Sequence, residues 1–174
     1  MRELADAERI RRFMRALGAA ADGEGAVYFT GGATAVLVGW RKSTIDVDVL
    51  IVPDSDALLR SLPRIKDELS INVELASPLD FIPVPAGWEE RSPSVAREGP
   101  LSFFHFDPYA QALAKAERAH EQDLADLRAL IESGLVDPAR ALTYLDEIEP
   151  QLYRYPAVDP ASFRARAEEL FRSS

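Results

Sequence analysis

Two aspartates, Asp46 and Asp48, lie in the stretch Ser43-Thr44-Ile45-Asp46-Val47-Asp48-Val49-Leu50. The run Ile45 to Val52 alternates apolar and acidic residues, which predicts a strand. Positions i and i+2 of a strand share a face, so both carboxylates project together, with Ile45, Val47 and Val49 packing the other way. Adjacent carboxylates repel and are costly to desolvate. A divalent cation relieves that cost. Mg²⁺ (or Mn²⁺) is the natural choice, because Mg²⁺ takes hard oxygen ligands and is usually held by one or two carboxylates plus substrate phosphates. A second feature precedes the first: Tyr28-Phe29-Thr30-Gly31-Gly32-Ala33-Thr34-Ala35. A glycine pair between a strand and a helix lets the backbone approach a phosphate, and the helix start offers free N–H groups. A phosphate cradle beside a metal-binding carboxylate pair suggests phosphoryl or nucleotidyl transfer, in which the metal neutralises developing charge. Taken singly, Gly-Gly also reads as an ordinary turn and Asp-x-Asp as a solvated sheet face.

The elements that must position these residues follow from periodicity. Residues 3–18 read as a helix with Leu4, Ile10, Phe13, Met14 and Leu17 on one face. Asp22-Gly23 and Gly25 make a turn. Residues 26–29 read as a strand and 33–40 as an apolar helix. After Pro53, a helix capped by Asp54 or Ser55 runs to Leu69, with Pro63 as a point of kinking. Residues 71–76 read as a third strand. Residues 78–100, rich in Pro, Gly and Trp, read as a long irregular connection. Residues 101–106 read as an edge strand. Helices are predicted at 108–119, 121–133, 138–149 and 161–172, the first begun by Asp107 as cap and Pro108 in its first turn. The chain thus divides into an α/β core, 1–106, and a helical C-terminal region, 107–174, expected to pack as a single unit.

The glycine turn followed by the Asp-x-Asp strand resembles the DNA polymerase β superfamily of nucleotidyltransferases. That superfamily adds a third acid on a neighbouring strand, and Val73-Glu74-Leu75 matches it. Asp80 is the weaker candidate, since Pro78 ends the strand. The resemblance implies an α+β nucleotidyltransferase fold: a small mixed sheet with helices, then a helical half. It implies Asp46, Asp48 and Glu74 as metal-binding catalytic acids, with Gly31, Gly32 and Thr44 on the nucleotide side.

In the helical half, a lysine, an arginine three residues later and an Asp-x-x-Asp pair stand out: Lys115, Arg118, Asp123 and Asp126. This resembles the AbiEii and MenT toxin group and related uncharacterised bacterial nucleotidyltransferases, over residues 26–130. By position, Lys115 would contact triphosphate oxygens, and Asp123 would assist the incoming hydroxyl, with Asp126 the alternative acid. One departure lies two residues before Thr44. The toxin group carries Arg there; this chain has Lys42, with Arg41 beside it. The same four residues would also make a salt-bridged helix face. On one unbroken helix, Lys115 and Asp123 would lie about 12 Å apart along the axis, so a shared site requires a break near residues 119–122.

The resemblance implies transfer of a nucleoside monophosphate from an NTP to a hydroxyl on tRNA, protein or a small molecule, in a toxin–antitoxin or defence setting with a cognate antitoxin or toxin partner. The alternative is an inactive nucleotidyltransferase-like antitoxin or partner-binding module. Composition bounds these readings. The 174 residues are 47% hydrophobic and carry no cysteine, which excludes disulfides and thiolate metal sites and fits a cytoplasmic protein. No apolar run reaches the roughly 18 residues that span a bilayer. The net charge of -9 argues against general nucleic-acid binding. Arg9, Arg11, Arg12 and Arg15 form the densest basic cluster, on a predicted helix face. His105 and His120 are assigned no catalytic role. Trp88, Phe103, Phe104 and Phe106 are expected to pack rather than to stack on a base.

Overall fold

The computed structural model of the chain describes residues 3–173. In chain order the elements are β1 (Ala5–Asp6), α1 (Ala7–Ala20), β2 (Gly25–Thr30), α2 (Gly32–Val38), β3 (Ser43–Thr44), β4 (Asp46–Val52), α3 (Asp56–Leu69), β5 (Asn72–Leu75), α4 (Trp88–Arg91), β6 (Ser94–Glu98), β7 (Leu101–His105), α5 (Pro108–Arg118), α6 (Glu121–Glu132), α7 (Pro138–Ile148) and α8 (Pro160–Arg172). Short 3₁₀ turns occupy Pro78–Asp80 and Glu149–Arg154. The fold is α+β, with a small mixed sheet. Among the described residues no helix is long and apolar enough to cross a membrane.

The chain forms two compact units. The first holds the residues up to Ser77 together with Ser92–His105. Its five-stranded sheet has the order β5-β4-β2-β7-β6, and β1 pairs with β3 in a separate two-stranded ladder. β4 runs antiparallel to β2 and parallel to β5; β7 runs parallel to β2 and antiparallel to β6. Alternation along β4 sets the two faces. Val47, Val49 and Ile51 are buried in the core, while Asp46, Asp48 and Leu50 point to the other side, half-buried. The core face receives Ile10, Phe13, Met14 and Leu17 of α1 and Leu58, Leu62 and Ile65 of α3. Both helices start on side-chain caps: Asp6 accepts from Arg9 N and Ser55 from Leu58 N. Pro63 lies inside α3, and the helix runs on past it to Leu69.

Several expectations change at this level. α1 begins only at Ala7, so Leu4 precedes the helix and is 60% exposed. Ile45 falls between β3 and β4, outside both ladders, and is 69% exposed rather than packed with Val47. Residues 94–98, expected within a loop, form β6. That strand covers β7, which is therefore interior rather than an edge.

The second unit holds Pro78–Arg91 and the chain from Phe106 onward. Segment 78–91 thus joins the helices rather than the sheet on which the expected boundary at residue 106 placed it. The reasons are local. Trp88 stacks on Phe106 with ring centroids 4.4 Å apart. Arg91 pairs with the fully buried Asp107 at 2.8 Å, and Tyr155 donates its hydroxyl to Leu79 O. Three helices open on the same dipeptide. Asp107, Asp137 and Asp159 each accept a first-turn N–H, and Pro108, Pro138 and Pro160 follow them. Proline costs nothing there, because its missing N–H would have lacked a helical partner. α5 is buried from Pro108 to Ala116 and packs against α6, α7 and α8.

Candidate functional site

The register of the sheet assembles the acidic face. Asp48 lies opposite Thr30 of β2 on one flank and Glu74 of β5 on the other; Asp46 lies opposite Asn72. Register partners share a face, and neighbouring strands lie about 4.8 Å apart. Asp46, Asp48 and Glu74 therefore stand on one face of adjacent strands. Asp46 and Asp48 are half-buried and Glu74 is exposed.

Each acid is held differently. Asp46 Oδ1 accepts a hydrogen bond from Asn72 Nδ2, and its backbone carbonyl accepts one from Thr44 Oγ1 at 3.0 Å. Asp48 has one oxygen, Oδ1, that is buried and outside any hydrogen bond, while the residue makes other interactions. Asn72 escaped the sequence reading. Its signal was its place two residues before Glu74, on the same side of the same strand.

Gly31 and Gly32 are both required by geometry. Gly31 has φ 62 and ψ -128, a conformation that a side chain disfavours, and a Cβ there would lie 3.4 Å from Asp48 Oδ2. The turn is thereby drawn against the Asp48 carboxylate. A Cβ on Gly32 would overlap Thr44 Oγ1 and lie 2.7 Å from Thr44 Cβ. Thr44 is buried, and its hydroxyl is spent on the Asp46 carbonyl. It thus supports the first acid, whereas the sequence had placed it on the nucleotide side. α2, which follows the glycines, has seven residues.

Among the described residues no three carboxylate or imidazole groups converge closely enough to enclose a metal ion on their own. The donor set still fits a magnesium-type cation. It offers only hard oxygens, and that ion completes its shell from water and substrate phosphate around one or two carboxylates.

The second unit holds its own charged cluster. α5 ends at Arg118, Ala119 takes a left-handed conformation with φ 53, and α6 begins at Glu121. This break meets the condition that one straight helix could not. Lys115 Nζ lies 3.9 Å from Asp123 Oδ1 and 3.0 Å from Asp126 Oδ2. Asp123 also pairs with Arg118 at 2.7 Å, and Gln122 Nε2 donates to Asp126 Oδ1. Lys115, Asp123 and Asp126 are all buried. Asp126, the alternative acid, is thus the nearer partner of Lys115.

The histidines lie elsewhere. His105 is the register partner of Phe29, on the core side of the sheet and away from the acids. Its Nδ1 lies 3.0 Å from Thr34 Oγ1, and burial lowers its pKa to about 4. His120 is the N-cap residue of α6. Phe103 belongs to the core, Phe104 stacks on Tyr28, and Phe106 on Trp88. Of the basic cluster on α1, Arg9 is tied to the Leu69 and Ser70 carbonyls and to Glu3, and Arg15 to Glu8.

A family described as nucleotidyltransferase of unknown function (DUF6036) matches residues 6–149. No curated protein and no solved structure gives a significant match.

Proposed function

The chain belongs to this nucleotidyltransferase family, and from that premise we propose that it transfers a nucleoside monophosphate from an NTP to a hydroxyl acceptor. The acceptor oxygen forms a bond to the α-phosphorus, the bond from that phosphorus to the bridging oxygen breaks, pyrophosphate leaves, and the hydroxyl proton passes to solvent. The observation that carries this reading is the register of β4 and β5, with Asp48 beside Glu74 and Asp46 on the same face. A Mg²⁺ or Mn²⁺ ion held there would offset triphosphate charge and acidify the acceptor hydroxyl. Asp46 and Asp48 would hold it, and Glu74, exposed on the neighbouring strand, would complete the acceptor side. The Gly31-Gly32 turn would let the triphosphate approach without a Cβ in its path.

The finer likeness to the AbiEii and MenT toxin group supports a cognate toxin or antitoxin partner; in this chain Lys115 is engaged with Asp126, and Asp123 with Arg118, inside the helical unit. For the acceptor, the net charge of -9 and the internal pairing of Arg9 and Arg15 favour a protein or small-molecule hydroxyl over tRNA. The test is incubation of a lysate of the native host with α-labelled NTPs and Mg²⁺, using the wild type and Asp46→Ala. Label on a lysate component with the wild type alone supports the reading. No label with any NTP, from a protein that still binds Mn²⁺, points to the inactive partner-binding module instead.

A further inference from the structure

One polar residue on the acidic face has no part in the reaction as written. Asn72 opens β5, is the register partner of Asp46, and donates its side-chain amide to Asp46 Oδ1. Asparagine is depleted in strands, so its place here is not explained by the backbone. The chemistry of whatever occupies this position governs Asp46. A carboxylate would add a fourth negative charge to the face. An apolar side chain would leave the Asp46 carboxylate to rotate. The amide does neither: it binds one oxygen, leaves the other for a ligand, and brings no charge. Thr44 acts on the same residue through that residue's backbone, donating to the Asp46 carbonyl. Backbone and carboxylate are thus fixed by separate contacts.

Resting on the reading that these acids hold a divalent cation, we propose that Asn72 is a positioning residue for Asp46, which it orients with Oδ1 occupied and Oδ2 presented to the ion. Hydrogen-bond partners of this kind, one step removed from the metal, typically govern affinity by 10–100-fold.

The experiment is Mn²⁺ titration of the nucleotide-free protein, with free ion read by its paramagnetic resonance signal. It compares wild type, Asn72→Ala, Asp46→Asn and the double variant, with thermal unfolding as a control of fold. Asn72→Ala should weaken Mn²⁺ binding about 10–100-fold. In the Asp46→Asn background the same change should alter affinity less than about twofold, because the carboxylate it orients is gone. Asn72→Thr suits a strand better and keeps a hydroxyl donor, so it supplies a folded variant of intermediate affinity should the alanine variant unfold. Equal losses in both backgrounds, or an Asn72→Ala protein that binds as the wild type does, would overturn the assignment while leaving the acidic face intact as a metal site. A wild type that binds no Mn²⁺ would overturn the functional reading, and the role of Asn72 with it.

Discussion

On β4 and β5, three carboxylates share one face; on α5 and α6, two carboxylates are gathered with a lysine and an arginine. The first set is partly open to solvent, with Glu74 exposed. In the second, Lys115, Asp123 and Asp126 are buried while Arg118 is exposed, and every charge has a partner of opposite sign within 3.9 Å. Buried charges persist only when compensated in place, since removing one partner strands the other in a low-dielectric interior. The helical cluster is therefore complete as it stands. The sheet cluster is only half-buried, and its third acid is open to solvent.

The largest effects should separate these two roles. Asp46→Asn or Asp48→Asn should reduce nucleotidyl transfer by about 100-fold or more, several kcal/mol of lost charge stabilisation, while the protein stays folded. Labelled-NTP transfer beside circular dichroism checks both halves of that statement. Lys115→Ala should lower unfolding free energy by about 3–5 kcal/mol in urea titrations, because Asp126 and Asp123 are left buried. Replacing the pair together, Lys115→Met with Asp126→Leu, should return much of the loss. If Lys115→Ala instead keeps its stability and loses only NTP binding, the helical cluster serves the nucleotide and the contrast drawn above is wrong.

Smaller effects sharpen the picture. Gly32→Ala should destabilise by about 1–3 kcal/mol through overlap with Thr44, and Thr44→Ala in the same chain should relieve only the part due to the hydroxyl, because the Thr44 Cβ remains 2.7 Å away. His105 gives a pH signature on the core side of the sheet. Burial lowers its pKa from 6.5 to about 4, so between these values the unfolded chain binds the extra proton. Stability present above pH 6.5 is then lost as pH falls toward 4, by an amount on the order of 3 kcal/mol. His105→Gln should flatten that limb of the stability curve. Least of all, Glu74→Gln should change metal-free stability by no more than about 0.5 kcal/mol, as expected of an exposed side chain.

What could be read in advance follows the range of each interaction. The β4 alternation, the Asp-Pro helix starts and the caps at Ser55 and Asp107 are local, and the sequence displays them directly. The four C-terminal helices fall within a residue or so of their predicted ends for the same reason. Register is not local. The spacing of Asn72 from Glu74 gives its face of the strand, but only the register brings it opposite Asp46, 26 residues away. β6 was hidden because Ser94-Val95-Ala96-Arg97-Glu98 has little apolar content and its ladder is irregular between Ser94 and Ala96. The break that brings Lys115 to Asp123 turns on Ala119 at positive φ. Glycine or asparagine would have signalled that turn; alanine does not.

The strand order also sets which of the acids is free to move. β4 is laddered on both flanks, by β2 and β5, whereas β5 lies at the rim of the sheet with a single ladder. In amide hydrogen exchange the β4 backbone should be among the slowest in this unit, and β5 should open ahead of it. Asp46 and Asp48 thus ride on an anchored strand and Glu74 on a yielding one. Opening at the rim would therefore shift Glu74 relative to Asp46 and Asp48 while leaving the spacing of that pair unchanged.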